Sequence, residues 1–200
     1  MGALAAAWFL AVVAGFLALW IYKLRPGSEA ATAPRSWPIQ SSIRANAGRA
    51  TLVLFAHPRC ACTRATISEL ARLMARFHDR LDARVLFAAS PGEEAELART
   101  DLWSSAARIP GVTVAPDPSG IEARRFGAET SGAAVLYDAT GALAFQGGIT
   151  SARGHEGDSF GQERIAAVLT GGTPDRASAP VFGCGLNDEG AVRIAQVNDR

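Results

Sequence analysis

The chain has 200 residues, 48% of them hydrophobic, and its 20 Lys and Arg residues nearly balance its 19 Asp and Glu residues. The basic residues are almost all Arg and are spread evenly along the chain, so no basic patch of the kind that binds nucleic acid is expected. We therefore predict no nucleic-acid partner. Behind an apolar N-terminus and a linker that ends at residue 48, about 150 residues remain, which is the usual size of one domain with one core.

The N-terminus is an uncharged apolar run over residues 2–22. Roughly 20 apolar residues are enough to cross a bilayer as a helix, so we predict a transmembrane anchor over residues 1–24. A cleaved secretory signal ending at Ala31-Thr32-Ala33 is the alternative. The anchor is favoured because the run exceeds the 7–15 residues of a typical signal core and no Lys or Arg precedes it.

The rest of the chain divides into three parts by composition. Residues 25–48 are rich in Pro, Ala, Ser and Arg without periodicity, which predicts a flexible linker. Residues 49–172 are expected to form one domain, and residues 173–200 a C-terminal tail that contains Cys184. Lys23, Arg25 and Arg35 follow the apolar run, and the positive-inside rule alone would keep the domain in the cytoplasm.

The domain sequence alternates between strand-like and helix-like patterns. Short apolar β-branched runs predict strands, and apolar residues at three- and four-residue spacing predict helices. In chain order the predicted elements are a strand at 51–56, a helix through 67–77, a strand at 83–89, a helix at 93–108, a strand at 112–115, a short helix at 117–126, strands at 133–137 and 142–146, and a helix at 159–169. This order predicts an α/β fold with a central mixed sheet and helices on both faces.

Two of the three cysteines, Cys60 and Cys62, lie between the first strand and the first helix of the domain. The carboxyl ends of parallel strands are where chemistry gathers in such sheets. The free N–H groups at a helix start stabilise a thiolate, and Arg59 and Arg64 add positive charge. We therefore predict that Cys60 is a partly exposed thiolate nucleophile.

The sequence resembles the thioredoxin fold and, more specifically, the RedB-type thioredoxin-related proteins of bacteria, over residues 49–186. Four motifs carry this resemblance. They are His57-Pro58-Arg59-Cys60-Ala61-Cys62, Gly147-Gly148-Ile149-Thr150, Arg153-Gly154-His155-Glu156-Gly157-Asp158 and Pro180-Val181-Phe182-Gly183-Cys184. Two features depart from thioredoxins: only Ala61 separates the first two cysteines, and Gly132 stands where thioredoxins carry a cis-proline.

The resemblance implies a thioredoxin-like fold. It also implies a membrane-anchored thiol–disulfide oxidoreductase that acts on protein thiols, including those of proteins in respiratory or cytochrome maturation. Disulfide chemistry suits the periplasmic face of the inner (cytoplasmic) membrane, in conflict with the positive-inside rule. Cys60 matches the family nucleophile, and Thr63 falls at the usual resolving position. No resident cofactor is implied.

Exchange also needs a second thiol that releases the mixed disulfide. Cys62 is the nearest resolving partner in the sequence, and Thr63 is expected to hydrogen-bond to the Cys60 thiolate. A disulfide across one intervening residue is geometrically tight and easy to reduce. Cys184 is open to three interpretations: a remote resolving thiol, a structural staple or a free thiol.

A copper-binding chaperone on a thioredoxin fold is the alternative function. His57, Cys60 and Cys62 offer the imidazole and sulfur ligands that Cu(I) prefers, although His57 equally fits a residue that closes the strand. Peroxide reduction by Cys60 ranks lowest, because the Pro-Thr signature upstream of a peroxidatic cysteine is absent.

Overall fold

The computed structural model describes residues 2–28, 31–92, 94–172 and 178–186. Within these ranges the chain forms six helices and five strands. In order they are α1 Gly2–Leu24, β1 Ala50–Ala56, α2 Ala61–Phe77, β2 Leu81–Ala89, α3 Glu94–Leu97, α4 Asp101–Ala107, β3 Val112–Pro118, α5 Ile121–Arg125, β4 Ala133–Tyr137, β5 Leu143–Gly148 and α6 Phe160–Leu169.

The strands form one mixed sheet in the order β3-β2-β1-β4-β5. Strands β1, β2 and β3 run parallel, whereas β4 and β5 pair antiparallel. Every residue of the central strand β1 is buried. Since successive side chains of a strand point to opposite faces, Leu52 and Leu54 pack with α2 and α6, and Val53 and Phe55 pack with α5. The predicted mixed sheet with helices on both faces is thus confirmed.

The predicted helix over 93–108 is wrong in its continuity; residue 93 lies outside the described residues. The chain forms α3 and α4 with a break before Thr100, whose backbone is extended (φ −74°, ψ 146°). The Thr100 hydroxyl accepts a hydrogen bond from the Trp103 N–H at 3.3 Å. This is the N-cap interaction that starts a new helix.

Strand β3 extends three residues beyond its predicted end at residue 115 and includes Pro116 and Pro118. Proline lacks the N–H that a central strand needs for its ladder, but an edge strand tolerates it. Strand β3 lies at the edge of the sheet beside β2. The two prolines therefore do not end the strand, although they made the strand predicted from the sequence end too early.

Part of the segment predicted as a linker packs on the domain. The Trp37 ring stands edge-on to Phe126 and Tyr137, with ring centroids 5.2 and 5.1 Å apart. The Tyr137 hydroxyl donates to the Pro34 carbonyl oxygen at 3.0 Å. These contacts join the segment to the α5 face of the sheet, and the domain boundaries themselves stay a prediction.

Helix α1 is long and apolar enough to cross a membrane, judged by its length and composition. Its 23 residues span about 34 Å at 1.5 Å per residue, close to the roughly 30 Å of a bilayer core. A signal sequence near an N-terminus has the same character. The helix is compatible with a single-pass anchor, and its end contacts the domain where the Arg153 N–H donates to the Lys23 carbonyl oxygen at 3.0 Å.

A buried carboxylate fixes the loop between β5 and α6. The Glu69 side chain, on α2, accepts hydrogen bonds from the Gly157 N–H at 2.7 Å, from Gln162 Nε2 at 2.6 Å and from Arg72 Nη1 at 2.8 Å. A buried charge is tolerated when it is paired and fully hydrogen-bonded. Glu69 therefore holds the loop that carries Arg153 against the helix that carries the cysteines.

Candidate active site

Cys60 lies at the N-cap of α2, directly after the turn that follows β1. Its backbone is extended (φ −82°, ψ 113°), and its side chain makes no capping hydrogen bond. The Cys60 N–H donates to the His57 carbonyl oxygen at 3.1 Å, and its carbonyl oxygen accepts from the Thr63 N–H at 3.0 Å. The sulfur is therefore at the positive end of a helix, in the local position that the sequence predicts.

The predicted exposure of Cys60 is wrong. Its side chain is buried, with 1% of its surface exposed, whereas Cys62 and Cys184 are half-buried. The reason lies in the C-terminal tail: residues 182–186, which we call the Cys184 segment, lie beside the start of α2 and bring Cys184 to Cys60. Two other parts of the tail, residues 173–177 and 187–200, lie outside the described residues.

Cys60 and Cys184 are in direct contact through their sulfur atoms. The two Sγ atoms lie 3.1 Å apart, although 124 positions separate the residues in the sequence. Both cysteines are free thiols in this structure. A short movement of either side chain would bring the sulfurs to the roughly 2.05 Å of a disulfide bond.

Backbone pairing holds the Cys184 segment in place. The Ser131 N–H donates to the Cys184 carbonyl oxygen at 2.8 Å, and the Leu186 N–H donates to the Glu129 carbonyl oxygen at 2.8 Å. Between these two bonds, Thr130 and Gly185 form an antiparallel bridge. Residues 129–131 thus offer a short strand-like edge, and the Cys184 segment is its partner.

Ser131 connects this edge to the start of α2. The Ser131 Oγ accepts a hydrogen bond from the His57 N–H at 2.8 Å and lies 2.7 Å from Thr63 Oγ1. The next residue, Gly132, donates its N–H to the Phe55 carbonyl oxygen at 2.7 Å. Sequence reasoning missed Ser131 as a site residue; the available signal was its place directly before Gly132.

Gly132 has a backbone conformation that a proline cannot adopt. Its φ is +94°, in the region that favours glycine, while the proline ring fixes φ near −65°. A proline at position 132 would therefore require a different backbone path. A Cβ at Gly132 would lie 3.1 Å from Thr66 Oγ1, which is a tight contact, and 3.9 Å from the Phe182 carbonyl oxygen, which is an ordinary one.

The two contacting thiols have opposite pKa shifts. Burial on its own would raise the pKa of the Cys60 thiol, but hydrogen bonds from Cys184 and Thr63 to the thiolate outweigh it and leave the pKa lowered. Burial raises the pKa of Cys184 to about 12, and the neighbouring Cys60 adds to the rise. The negative charge is therefore favoured on Cys60, with Cys184 as the proton-bearing donor.

Arg153 links the cysteines to the end of α1. Its Nη1 donates to the Gly183 carbonyl oxygen at 2.6 Å, and its Nε donates to the Arg25 carbonyl oxygen at 3.1 Å. Burial and the charge of Cys60 raise the pKa of Cys62, and the Arg153 guanidinium partly offsets that rise. Arg153 entered the sequence prediction only as part of a motif, because its partners lie far from it along the chain.

His57, Cys60 and Cys62 are not gathered as a metal site. The His57 Nδ1 accepts a hydrogen bond from the Arg59 N–H at 3.2 Å. Within residues 2–28, 31–92, 94–172 and 178–186, no group of three or more His, Cys, Asp or Glu side chains is placed to hold a metal ion. The arrangement of the sulfurs suits thiol–disulfide exchange.

Replacing Thr63 with Val is expected to raise the pKa of Cys60, because the thiolate loses a hydrogen bond that stabilises it. At a fixed pH between the titration midpoints of Cys60 in wild type and in Thr63→Val, a smaller fraction of Cys60 is then thiolate in the variant. Thiolate absorbance at 240 nm, corrected with Cys60→Ser, measures the midpoint. Thr66→Val, at another buried threonine of α2, is the matched control, and an equal midpoint in Thr63→Val and wild type would contradict the assignment.

The chain matches no protein-family model and no curated protein. A hypothetical protein from Sinorhizobium meliloti matches 68% of this chain and 78% of its own, at 24% identity and a TM-score of 0.54. An uncharacterized conserved protein from Geobacillus kaustophilus matches 82% of this chain and 92% of its own, at 18% identity and a TM-score of 0.56.

A putative thiol:disulfide interchange protein DsbE from Chlorobium tepidum matches 73% of this chain and 99% of its own, at 18% identity. Its TM-score of 0.47 is too low to support an inference about activity. Similarity to solved structures at 18–24% sequence identity is evidence for a shared fold alone. By its sheet order, its strand directions and the helices on both faces, the chain has the thioredoxin-like fold.

Proposed function

We propose that this protein is a membrane-anchored thiol–disulfide oxidoreductase in which Cys60 and Cys184 are the exchanging pair. The contact of their sulfur atoms at 3.1 Å is the observation that carries the proposal. The opposite pKa shifts support it, since an attacking thiolate and a protonated second thiol are what exchange needs at its start.

The reaction is a pair of displacements at sulfur. The Cys60 thiolate attacks one sulfur of a substrate disulfide, forms a mixed disulfide and releases the other substrate sulfur as a thiolate. Cys184 then attacks Cys60 Sγ, the bond between Cys60 and the second substrate sulfur breaks, and the proton of Cys184 passes to that sulfur, which leaves as a thiol. Two electrons pass from the protein dithiol to the substrate, and the reverse sequence oxidises a substrate dithiol.

Cys184 suits the resolving role better than Cys62. A disulfide between Cys60 and Cys62 would close across Ala61 alone, which is geometrically tight. Thr63 acts as a positioning residue, because its hydrogen bond stabilises the Cys60 thiolate. Cys62 lies in the same site but takes part in neither displacement of the proposed reaction.

The substrates proposed are protein thiols and disulfides, including those of respiratory or cytochrome maturation. A single pass through the inner membrane by α1, with the domain on the periplasmic side, places the cysteines in a compartment where disulfides persist. The bonds from Arg153 to the Lys23 and Arg25 carbonyl oxygens support a site close to the membrane surface.

Turnover of a fluorescent peptide disulfide by the full-length protein in detergent, with dithiothreitol as reductant, tests this function. Cys60→Ser is expected to lower the rate at least about 100-fold, because only a thiolate attacks the disulfide. Cys62→Ser is the control and is expected to retain most of the rate. Equal loss in both variants, or stoichiometric retention of copper without turnover, would contradict the proposal.

A further inference from the structure

We propose that Arg153 is a positioning residue of the exchange reaction, which holds Cys184 beside Cys60 and ties that position to the chain that follows α1. The inference rests on the proposed function and adds the residue that sets the balance between its two displacements. Loss of the Arg153 side chain then speeds the first displacement and slows the second.

The chain directly before Cys184 is held from two sides. On one side, Arg153 Nη1 donates to the Gly183 carbonyl oxygen at 2.6 Å. On the other side, Gly183 packs so closely on Ser131 that a Cβ on Gly183 would overlap the Ser131 carbonyl oxygen. Gly183 is buried and Arg153 is half-buried, and a hydrogen bond from a charged donor is stronger than one between neutral groups. Moving Cys184 away from Cys60 therefore requires this hydrogen bond to break.

Arg153 is itself fixed by the end of α1 and the residues that follow it. Its Nε donates to the Arg25 carbonyl oxygen at 3.1 Å, and its guanidinium carbon lies 5.0 Å from the centroid of the Tyr22 ring, within the range of cation–π attraction. A further bond joins the same two parts of the chain, since the Gly27 N–H donates to the Val181 carbonyl oxygen at 2.8 Å. The guanidinium thus bridges the chain after α1 and the Cys184 segment.

This bridge has opposite effects on the two displacements. Cys60 is buried, with 1% of its surface exposed, so the Cys184 segment must move before the Cys60 thiolate can attack an outside disulfide. The bond from Arg153 opposes that movement. In the mixed disulfide the segment is displaced, and its return restores the bond as Cys184 attacks Cys60 Sγ. A bond lost on the way to a transition state slows that step, and a bond regained on the way speeds it.

Dithiodipyridine, a neutral aromatic disulfide, follows both displacements on the full-length protein in detergent. All proteins carry Cys62→Ser, so that only the proposed pair reacts. The Cys60 thiolate attacks one sulfur of the reagent and releases the first thiopyridine. Cys184 then attacks Cys60 Sγ and releases the second, which leaves a Cys60–Cys184 disulfide and two reduced thiopyridines. Stopped-flow absorbance separates the steps, because the first rate rises with reagent concentration and the second does not.

Arg153→Gln is expected to raise the first rate and to lower the second, each at least about fivefold. Arg153→Lys is expected to change both rates in the same directions, because an ammonium keeps the charge but cannot hold two carbonyl oxygens as the planar guanidinium does. The lysine variant decides the question alone if circular dichroism shows that the glutamine variant does not fold. Arg124→Gln is the matched control: it removes another bond from an arginine to a carbonyl oxygen, that of Ser119 at 2.6 Å, and is expected to keep both rates.

The same traces separate failure of this inference from failure of the proposed function. If the parent protein releases both thiopyridines and the Arg153 variants keep both rates, or lose both together, exchange stands and the role of Arg153 is wrong. Parent rates in Arg153→Lys with altered rates in Arg153→Gln would assign the effect to charge and overturn the bridge. If the parent protein gives no second release that is independent of reagent concentration, Cys184 is not the resolving thiol, and the proposed function and this inference fail together.

Discussion

Full-length Cys184→Ser protein is expected to accumulate as a mixed disulfide between Cys60 and its substrate, with turnover at least about 100-fold below wild type. The first displacement needs only the Cys60 thiolate and proceeds. The second lacks the thiol whose sulfur lies 3.1 Å from Cys60 Sγ, so the intermediate persists. Non-reducing electrophoresis and intact-protein mass spectrometry, after the remaining thiols are blocked, measure the trapped fraction.

Cys62→Ser is the matched control. Cys62 lies in the first turn of α2, close to Cys60 in the sequence, and is half-buried as Cys184 is. This variant is expected to turn over and to accumulate little mixed disulfide. If Cys62→Ser accumulates the intermediate and Cys184→Ser clears it, then Cys62 is the resolving thiol, as its nearness along the sequence suggests. The proposed role of Cys184 would then be wrong.

Oxidation of the cysteines is expected to raise the free energy of unfolding by about 3–5 kcal/mol. A bond between Cys60 and Cys184 closes a loop across 124 sequence positions, and a long closed loop removes much of the conformational freedom of the unfolded chain. A bond between Cys60 and Cys62 would close almost no loop. Urea unfolding of oxidised and reduced full-length protein, followed by circular dichroism, measures the difference.

The same comparison on Cys184→Ser serves as the control. It is expected to give nearly equal unfolding midpoints after oxidising and reducing treatment, since its remaining cysteines are close in sequence. A large stabilisation in this variant, or none in wild type, would show that the oxidised protein does not contain the long-range bond.

Strands with a continuous buried pattern were predictable from the sequence. Strand β4 has the bounds expected from its run of apolar residues, and β1 differs by one residue. The break in the helix predicted over 93–108 was not predictable. Thr100 caps a new helix within this segment, and its side-chain hydrogen bond to the backbone outweighs the weak apolar periodicity that predicted one continuous helix. Strand β3 was shortened in the prediction by prolines that only its edge position allows.

The site was predictable only as far as local sequence defines it. The position of Cys60 at a helix start follows from the strand before it and the periodic helix after it. Its burial does not, because the Cys184 segment that covers it comes from an irregular tail and pairs with residues 129–131 through backbone groups. Backbone pairing of that kind depends little on which side chains the segment carries. The sequence therefore does not predict that Cys184 reaches Cys60, and it leaves a resolving thiol, a structural staple and a free thiol as open interpretations of Cys184.

The direct test of the central claim is the disulfide map of the oxidised protein. Full-length protein is oxidised, its free thiols are alkylated, and the fragments after digestion without reductant are identified by mass spectrometry. We predict a Cys60–Cys184 disulfide with Cys62 alkylated, as the contact of the two sulfurs indicates. A Cys60–Cys62 disulfide with Cys184 alkylated would contradict the account.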